Sequence, residues 1–364
     1  MAASLARRTW VEINPKALLN NLDLCKQIAP DAEIMAVVKA DAYGHGAVAC
    51  ARVLSPMVDA FAVAIAEEAI ALREGGIESP ILVLQGPHSR EDVKVMSSAA
   101  LWPAISGDHQ IDWLEQSGAR FDQVWIKCDT GMHRLGLMPH EITPARSRLT
   151  PHSVNDIVLM SHFADAEAPD STLTERQLLR WGQVSDAAPT GSFSNSAATT
   201  GQIKAKESWI RLGYSLYGGS LVALPDGYSL QPVMQFESRI ASVRWIDVGE
   251  CVGYGGQWVA RRRSRIATIP AGYGDGYPRA ARDGTPIGTQ HGTALLAGKV
   301  SMDMVTADIT DLPALDVGSP VTLWGDSPCI DEVAGHCDTI GYELCTRITQ
   351  RTPRRFHRVT NDGD

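Results

Sequence analysis

The sequence lacks several things whose absence is informative. It has no CxxC pair, no GxGxxG, no surplus of positive charge, and no apolar run near the ~20 residues of a membrane span. Its seven cysteines (Cys25, Cys50, Cys128, Cys251, Cys329, Cys337 and Cys345) are scattered and odd in number, so no disulfide framework is expected. His336 and Cys337 adjoin but lack further ligands at zinc spacing, so no metal is expected. Without GxGxxG after an early strand, an open dinucleotide-binding sheet loses its main signature. A formal net charge of -9 argues against a nucleic-acid partner, because phosphate binding wants clustered Lys and Arg. The one dense basic run, Arg261, Arg262, Arg263 and Arg265, reads as a solvated loop or edge. Met1 to Trp10 carry no apolar core of signal-peptide length, so the expectation is a soluble, cytoplasmic protein with no membrane partner.

The chain does have length and a core. Its 364 residues suit one large domain plus a smaller one, and 44% are hydrophobic. Apolar runs of strand length recur at AEIMAVVK (32–39), AFAVAI (60–65), PILVLQ (80–85), ALWPAIS (100–106), QVWIKCD (123–129), DIVLMSHF (156–163), GSFSNS (191–196) and WIRLGYS (209–215). Helical stretches lie between them, including AEEAIALREGG (66–76), DHQIDWLEQSG (108–118) and LTERQLLRWGQVS (173–185). Eight strand–helix units imply an α/β fold whose N-terminal part, residues 1–230, is a (β/α)₈ TIM-like barrel. From about residue 231 to 364 the texture turns to strands punctuated by Gly and Pro, with helical periodicity returning only in EVAGHCDTIGYELCTRI. That predicts a C-terminal, mainly β domain.

Chemistry in such a barrel sits at the C-terminal ends of the strands. That rule singles out Lys39, Lys127, Arg134, His162, Ser196 and the stretch Arg211 to Tyr217. A lysine closing an apolar strand reads either as a solvated strand end or as a nucleophile. Apolar walls and neighbouring cations would lower its basicity and free its lone pair to attack an aldehyde. Asn195-Ser196 falls where the seventh helix should begin, which suits an ordinary N-cap and a phosphate site alike. Gly213 and Tyr214 could add backbone donors, and Tyr43 a phenol. A phosphate-bearing aldehyde beside a lysine means pyridoxal phosphate.

Seven segments in order resemble those of the alanine racemases: VVKADAYGHG (37–46), KCDTGMHRLG (127–136), SHFADAE (161–167), SNSAATTG (194–201), IRLGYSLYGG (210–219), AGYGDGYPR (271–279) and GKVSMDMVTADI (298–309). The resemblance spans nearly the whole chain. It implies pyridoxal 5'-phosphate on Lys39, a small amino-acid substrate and a homodimer. Lys39 would be the base on one face of the substrate α-carbon, and the partner subunit's Tyr273 the base on the other. Arg211 would face the pyridine nitrogen, and Arg134 the substrate carboxylate and the cofactor phenol oxygen. His162 would tune Tyr273. Tyr43, Ser196, Gly213 and Tyr214 would hold phosphate, with Asn195 and His162 also among the cofactor-binding residues. Met302 and Asp303 would close the pocket from the partner, and Lys127 is a candidate for carbamylation. Where many relatives carry a tyrosine near the C-terminus, Gln350 stands in ELCTRITQRTPRRF, which leaves serine open as a second substrate. Two other readings are a non-catalytic pyridoxal-phosphate carrier, which has no second β domain, and a decarboxylase, for which Cys329 is the sole candidate donor.

Overall fold

The computed structural model describes residues 9–155, 157–168, 170–187 and 190–357. Residue 156 of the seventh apolar run, residues 1–8 of the N-terminal stretch and residues 358–364 of the β domain lie outside that set. The described residues form two compact units, one of residues 18–230 and one of residues 9–17 with 231–357.

The chain enters through β1 (Trp10–Ile13). The barrel follows: β2 (Glu33–Val37), β3 (Ala60–Val63), β4 (Ile81–Val83), β5 (Trp102–Ile105), β6 (Trp125–Lys127), β7 (Val158–Met160), β8 (Thr190–Ser192) and β9 (Trp209–Leu212). These eight strands are parallel and β9 pairs back onto β2, closing the ring. Each of the eight apolar runs contributes one strand. The residues of β3, β4, β5, β6, β7 and β9 are buried throughout, as strands covered on both faces must be. Helices Ala66–Glu74, Asp108–Ser117 and Thr172–Val184 occupy the expected periodic stretches.

Side chains alternate along a strand, and that alternation layers the barrel interior. Trp102, Trp125 and Trp209 each open their strand. Their rings meet at 5.7 to 6.3 Å between centroids. Trp125 and Trp209 lie on strands separated by β7 and β8, so their edge-to-face contact crosses the interior. Three indoles therefore floor the barrel at its N-terminal end. Two residues further along the same strands, one layer up, stand Lys127 and Arg211.

The second unit is a nine-stranded sheet in the order β11-β14-β17-β16-β15-β18-β10-β1-β19. Its further strands are β10 (Met234–Arg239), β11 (Ser242–Ile246), β12 (Cys251–Val252), β13 (Trp258–Val259), β14 (Ser264–Ile269), β15 (Pro286–Thr289), β16 (Gly292–Leu296), β17 (Val305–Asp308), β18 (Pro320–Trp324) and β19 (Arg354–Phe356). The pair β12 and β13 forms a separate small ribbon. Within this unit Trp324 meets Phe236 edge to face and stacks with Tyr277. The opening segment, read from sequence as part of the barrel domain over 1–230, groups instead with this sheet. β1 pairs antiparallel with β10 and parallel with β19, and its alternating Val11 and Ile13 are fully buried. The expected helical stretch near the C-terminus is two short helices, Ile330–His336 and Gly341–Thr346. All seven cysteines are free thiols. Among the described residues, no helix is long and apolar enough to cross a membrane.

Candidate active site

Arg211 is the centre of the barrel mouth. It is 4% exposed, yet among the described residues no carboxylate is a hydrogen-bond partner to it. Its guanidinium donates to Ser192 Oγ, to the carbonyl of Ser161 at 2.6 Å, to Phe193 O at 3.3 Å and to His162 Nδ1 at 3.3 Å. Burial lowers its pKa to about 10, offset in part by Glu207, so it stays protonated near neutrality. A donor aimed at His162 Nδ1 needs that nitrogen bare. Burial, together with Arg211, Lys127, Arg134 and Lys39, holds the imidazole pKa well below its usual range. Lys127, 8% exposed, is pushed down to about 7 by burial and by Arg211 and Arg134.

Lys39 sits two residues past the end of β2 rather than within it. It opens a turn in which Ala40, Asp41, Ala42 and Tyr43 all have φ between 51° and 55°. The left-handed region costs an L-residue roughly 1–2 kcal/mol, and four non-glycine residues in a row need compensation. Glu68 supplies part of it. Its two carboxylate oxygens accept from Ala40 N and Ala64 N, each at 2.7 Å. Asp41 Oδ1 accepts from Ala47 N at 2.8 Å, and His45 Nδ1 lies 2.9 Å from the carbonyls of Ala42 and Tyr43. Strain of this kind concentrates at functional positions. Here it turns Lys39 and Tyr43 from one short segment toward the mouth. Burial and the charges of Arg134 and Arg211 lower the Lys39 pKa against the opposing pull of Glu68.

Tyr43, Ser196 and Gly213 come together. A Cβ at position 213 would stand 2.5 Å from the Tyr43 hydroxyl, so glycine there leaves a cradle beside the phenol. Ser196 Oγ accepts from Gly213 N at 2.9 Å and Ser215 N at 3.2 Å, with Ser215 Oγ at 3.1 Å. Asn195 caps the helix Ser196–Thr200, accepting from Ala198 N at 3.0 Å. Tyr214 is buried, with its ring over Gly219, where a Cβ would overlap it.

Arg134 is exposed on a loop shaped by Asp129. Asp129 Oδ1 accepts from Gly131 N at 2.9 Å and His133 N at 3.1 Å, and its Oδ2 meets His133 Nδ1 at 3.0 Å. Fully buried Gln177 bridges the neighbouring loops, donating to Thr130 Oγ1 at 3.1 Å and to His162 O at 2.9 Å. Sequence reasoning missed Glu68, Asp129, Gln177 and Glu207. Glu68 and Gln177 lie in stretches that read as ordinary amphipathic helices, and only the hydrogen bonds mark them.

In the β unit, Tyr273 and Met302 stand on adjacent turns, 39% and 52% exposed. Tyr273 N donates to Ser301 O at 3.1 Å, and Gly274 N to Met302 O at 2.8 Å. Gln350 is exposed. Cys329 is exposed as well, capping the helix Ile330–His336.

A (β/α)₈ barrel whose mouth gathers a lysine of lowered basicity, several cations and a hydroxyl-lined cradle is a lysine-centred barrel enzyme. The chain belongs to the alanine racemase family: the models for the alanine racemase N-terminal and C-terminal domains match residues 13–221 and 233–356. The alanine racemase of Chromohalobacter salexigens is 45% identical over 363 residues, 98% of this chain and 99% of that protein. The catabolic alanine racemase of Pseudomonas putida is 40% identical over 353 residues, covering 94% and 97%. Among solved structures, the biosynthetic alanine racemase of Pseudomonas aeruginosa superposes with a TM-score of 0.91 at 39% identity, covering 97% of this chain and all of that one. The activity is racemisation of alanine with pyridoxal 5'-phosphate as cofactor. The residues present fit that cofactor: a lysine of lowered basicity for its aldehyde, the Tyr43–Ser196–Gly213 cradle for its phosphate, and a permanently charged arginine for its ring nitrogen.

Proposed function

We propose that racemisation runs through two bases, Lys39 and the partner subunit's Tyr273, acting on opposite faces of the substrate α-carbon. The observation that carries this reading is the lowered basicity of Lys39 at a strained turn, among cations and beside the cradle. When bound, pyridoxal phosphate supplies the electron sink that acidifies the α-proton. From L-alanine, the Tyr273 oxygen takes that proton and Lys39 Nζ delivers one to the other face. The reverse direction exchanges their roles. Two fixed bases within reach of one carbon avoid swinging a single base across the cofactor. A phenol is a poor base at its free pKa of ~10, so its anion needs stabilising, and neutral His162 is suited to that as a hydrogen-bond partner.

Arg211 holds its own protons firmly and does not pass one to the pyridine nitrogen. The electron sink stays weak, which favours simple return of a proton over transamination. Arg134 pairs with the substrate carboxylate. Lys39, Tyr43, Asn195, Ser196, Gly213 and Tyr214 hold the cofactor, with His162 beside Arg211, and Met302 with Asp303 closes the pocket. A Lys127 pKa of about 7 leaves a substantial neutral fraction at physiological pH. Its lone pair can bond to carbon dioxide with loss of one N–H proton, giving a carbamate anion among Arg134 and Arg211. Intact mass of an active preparation tests this, and plain lysine at full activity would refute it.

The deciding experiment is Tyr273→Phe in deuterated water. Exchange of the α-proton should survive from D-alanine and collapse from L-alanine, whereas equal losses would reject the two-face assignment. The two-chain site calls for a homodimer. Exposed Tyr273, Met302 and Met304 on one unit are apolar groups suited to a partner surface. Sedimentation showing a fully active monomer would reject that. We place the enzyme in the cytoplasm, making D-alanine for peptidoglycan or interconverting the enantiomers for catabolism. Serine is the second substrate that the polar Gln350 favours. Chiral chromatography after separate incubation with L-alanine and L-serine decides it, and no D-serine would exclude that extension.

A further inference from the structure

We infer that Arg351 is a positioning residue for the reaction, clamping together the two turns that carry Tyr273 and Met302. The inference rests on the reading of Tyr273 as a base. The guanidinium spans both turns. Its Nε donates to Asp275 Oδ1 at 3.0 Å and its Nη2 to Asp275 Oδ2 at 2.9 Å, a two-pronged grip on the Tyr273 turn. The same Nη2 donates to Asp303 Oδ1 at 2.7 Å and approaches Met302 O at 3.4 Å on the other turn.

Three features mark this as more than a surface ion pair. The Asp275 side chain is 1% exposed, so removing its cation strands a buried carboxylate. Asp275 Oδ2 also accepts from Gly272 N at 3.0 Å, so the carboxylate Arg351 holds also folds the Tyr273 turn. The space for the guanidinium is made by glycine, since a Cβ at 274 would lie 2.8 Å from Arg351 Nη2. Flanking threonines reinforce the grip: Thr349 Oγ1 donates to Gly274 O at 2.8 Å and Thr352 Oγ1 to Asp275 O at 3.0 Å. Tyr273 itself is 39% exposed, and its backbone N–H ties it to this frame by donating to Ser301 O at 3.1 Å. Lysine offers a point charge and no fork, and cannot hold both turns at once.

A misplacement of ~1 Å at a reacting group can cost ~10²-fold in rate. Loosening this frame should therefore impair the Tyr273 face and spare the Lys39 face. The test uses holoenzyme and α-proton exchange from L- and D-alanine in deuterated water, for Arg351→Ala, Arg351→Lys, Asp303→Asn and Tyr273→Phe. Arg351→Ala should slow exchange from L-alanine at least about tenfold more than from D-alanine, with Arg351→Lys between it and the parent. Asp303→Asn removes a single exposed arm and should give a smaller imbalance of the same sign. It decides the matter if Arg351→Ala does not fold. Equal losses from both enantiomers, or no loss, while Tyr273→Phe is selective, would overturn the clamp. If Tyr273→Phe is itself unselective, the base assignment falls and the clamp's role falls with it. Combining Arg351→Ala with Tyr273→Phe should add no further selectivity, and additive selectivity would contradict a shared path.

Discussion

The barrel mouth and the Tyr273 turn of the β unit hold their functional groups by opposite means. At the mouth, Arg211 and Lys127 are buried, His162 is half-buried beside them, and among the described residues no carboxylate bonds to Arg211. Burial and mutual repulsion outweigh the opposing pull of Glu207, Glu68 and Asp129, so lysine and histidine are held toward their neutral forms. In the β unit, the charges that frame the Tyr273 turn are paired with one another. Arg351 is shared by Asp275 and Asp303, and the phenol stands partly in solvent. The first region tunes protonation by deprivation. The second fixes direction by neutralised charge and leaves tuning to whatever covers it. On the proposed two-base mechanism, the barrel side would hold its proton acceptor within one chain, whereas the phenol would need a partner surface before acting as a base.

The most drastic way to break the comparison is Lys39→Ala. Turnover and the visible absorbance of lysine-bound cofactor should both vanish, while the β unit is untouched. Persistence of both in the purified variant would remove Lys39 from the site. Next comes Lys127→Ala, which takes away either an amine or its carbamate from beside Arg134. We expect kcat to fall by ~10²-fold with the fold intact, because Arg134 loses its internal reference and not its charge. A change under twofold in steady-state kinetics would show that Lys127 merely fills the layer above the indoles.

Glu68→Gln sharpens the contrast at smaller cost. The carboxylate accepts from two backbone N–H groups at the base of the left-handed turn. An amide keeps one acceptor and turns a donor toward the other N–H. One of these bonds lost at a partly exposed turn costs about 1 kcal/mol, so cofactor affinity should drop by roughly fivefold. Titration of apoenzyme with pyridoxal phosphate reads this directly. Unchanged affinity would mean that the turn is held without Glu68.

The barrel was legible because fully buried strands read as continuous apolar runs, and all eight runs lie in the ring. Floor and mouth were less so. Nothing in WPAI, WIK and WIRL says that three tryptophans share one layer, because that depends on stagger between strands distant in sequence. The left-handed turn was hidden for a physical reason: positive φ is signalled by glycine, and KADAY contains none before Gly44. The opening segment falls within the domain read as 1–230, and its strand β1 was not foreseen, because four alternating residues specify at most a half-buried strand and not its sheet. Lys39, Tyr43 and Ser196 could be proposed from position at strand and helix ends. Tyr273 could not. Its turn looks like any glycine-rich β turn, and its role came from resemblance. Arg351 was lost within a basic tail for the same reason.

The smallest expected effect concerns stability. Lys127 has a folded-state pKa of about 7, against 10.5 when free. Between those values the unfolded chain binds the proton that the folded chain has lost, so stability must rise with pH across the window. Below about pH 7 the folded protein also takes up the proton, and the penalty for a buried cation is then fully present. Between about pH 7 and about pH 8 the gain from this group should be roughly 1 kcal/mol, allowing for partial protonation at the lower end. His162 contributes with the same sign but further toward acid, since its folded pKa lies well below 6.5. Urea unfolding in bicarbonate-free buffer at both pH values isolates the lysine if Lys127→Met is run beside the parent. The parent should gain that increment and Lys127→Met should not, because methionine fills similar volume without a titrating group. Identical pH slopes in the two proteins would mean that the amine reaches water after all. The barrel mouth would then be no drier than the turn that carries Tyr273, and the contrast between the two regions would rest on geometry alone.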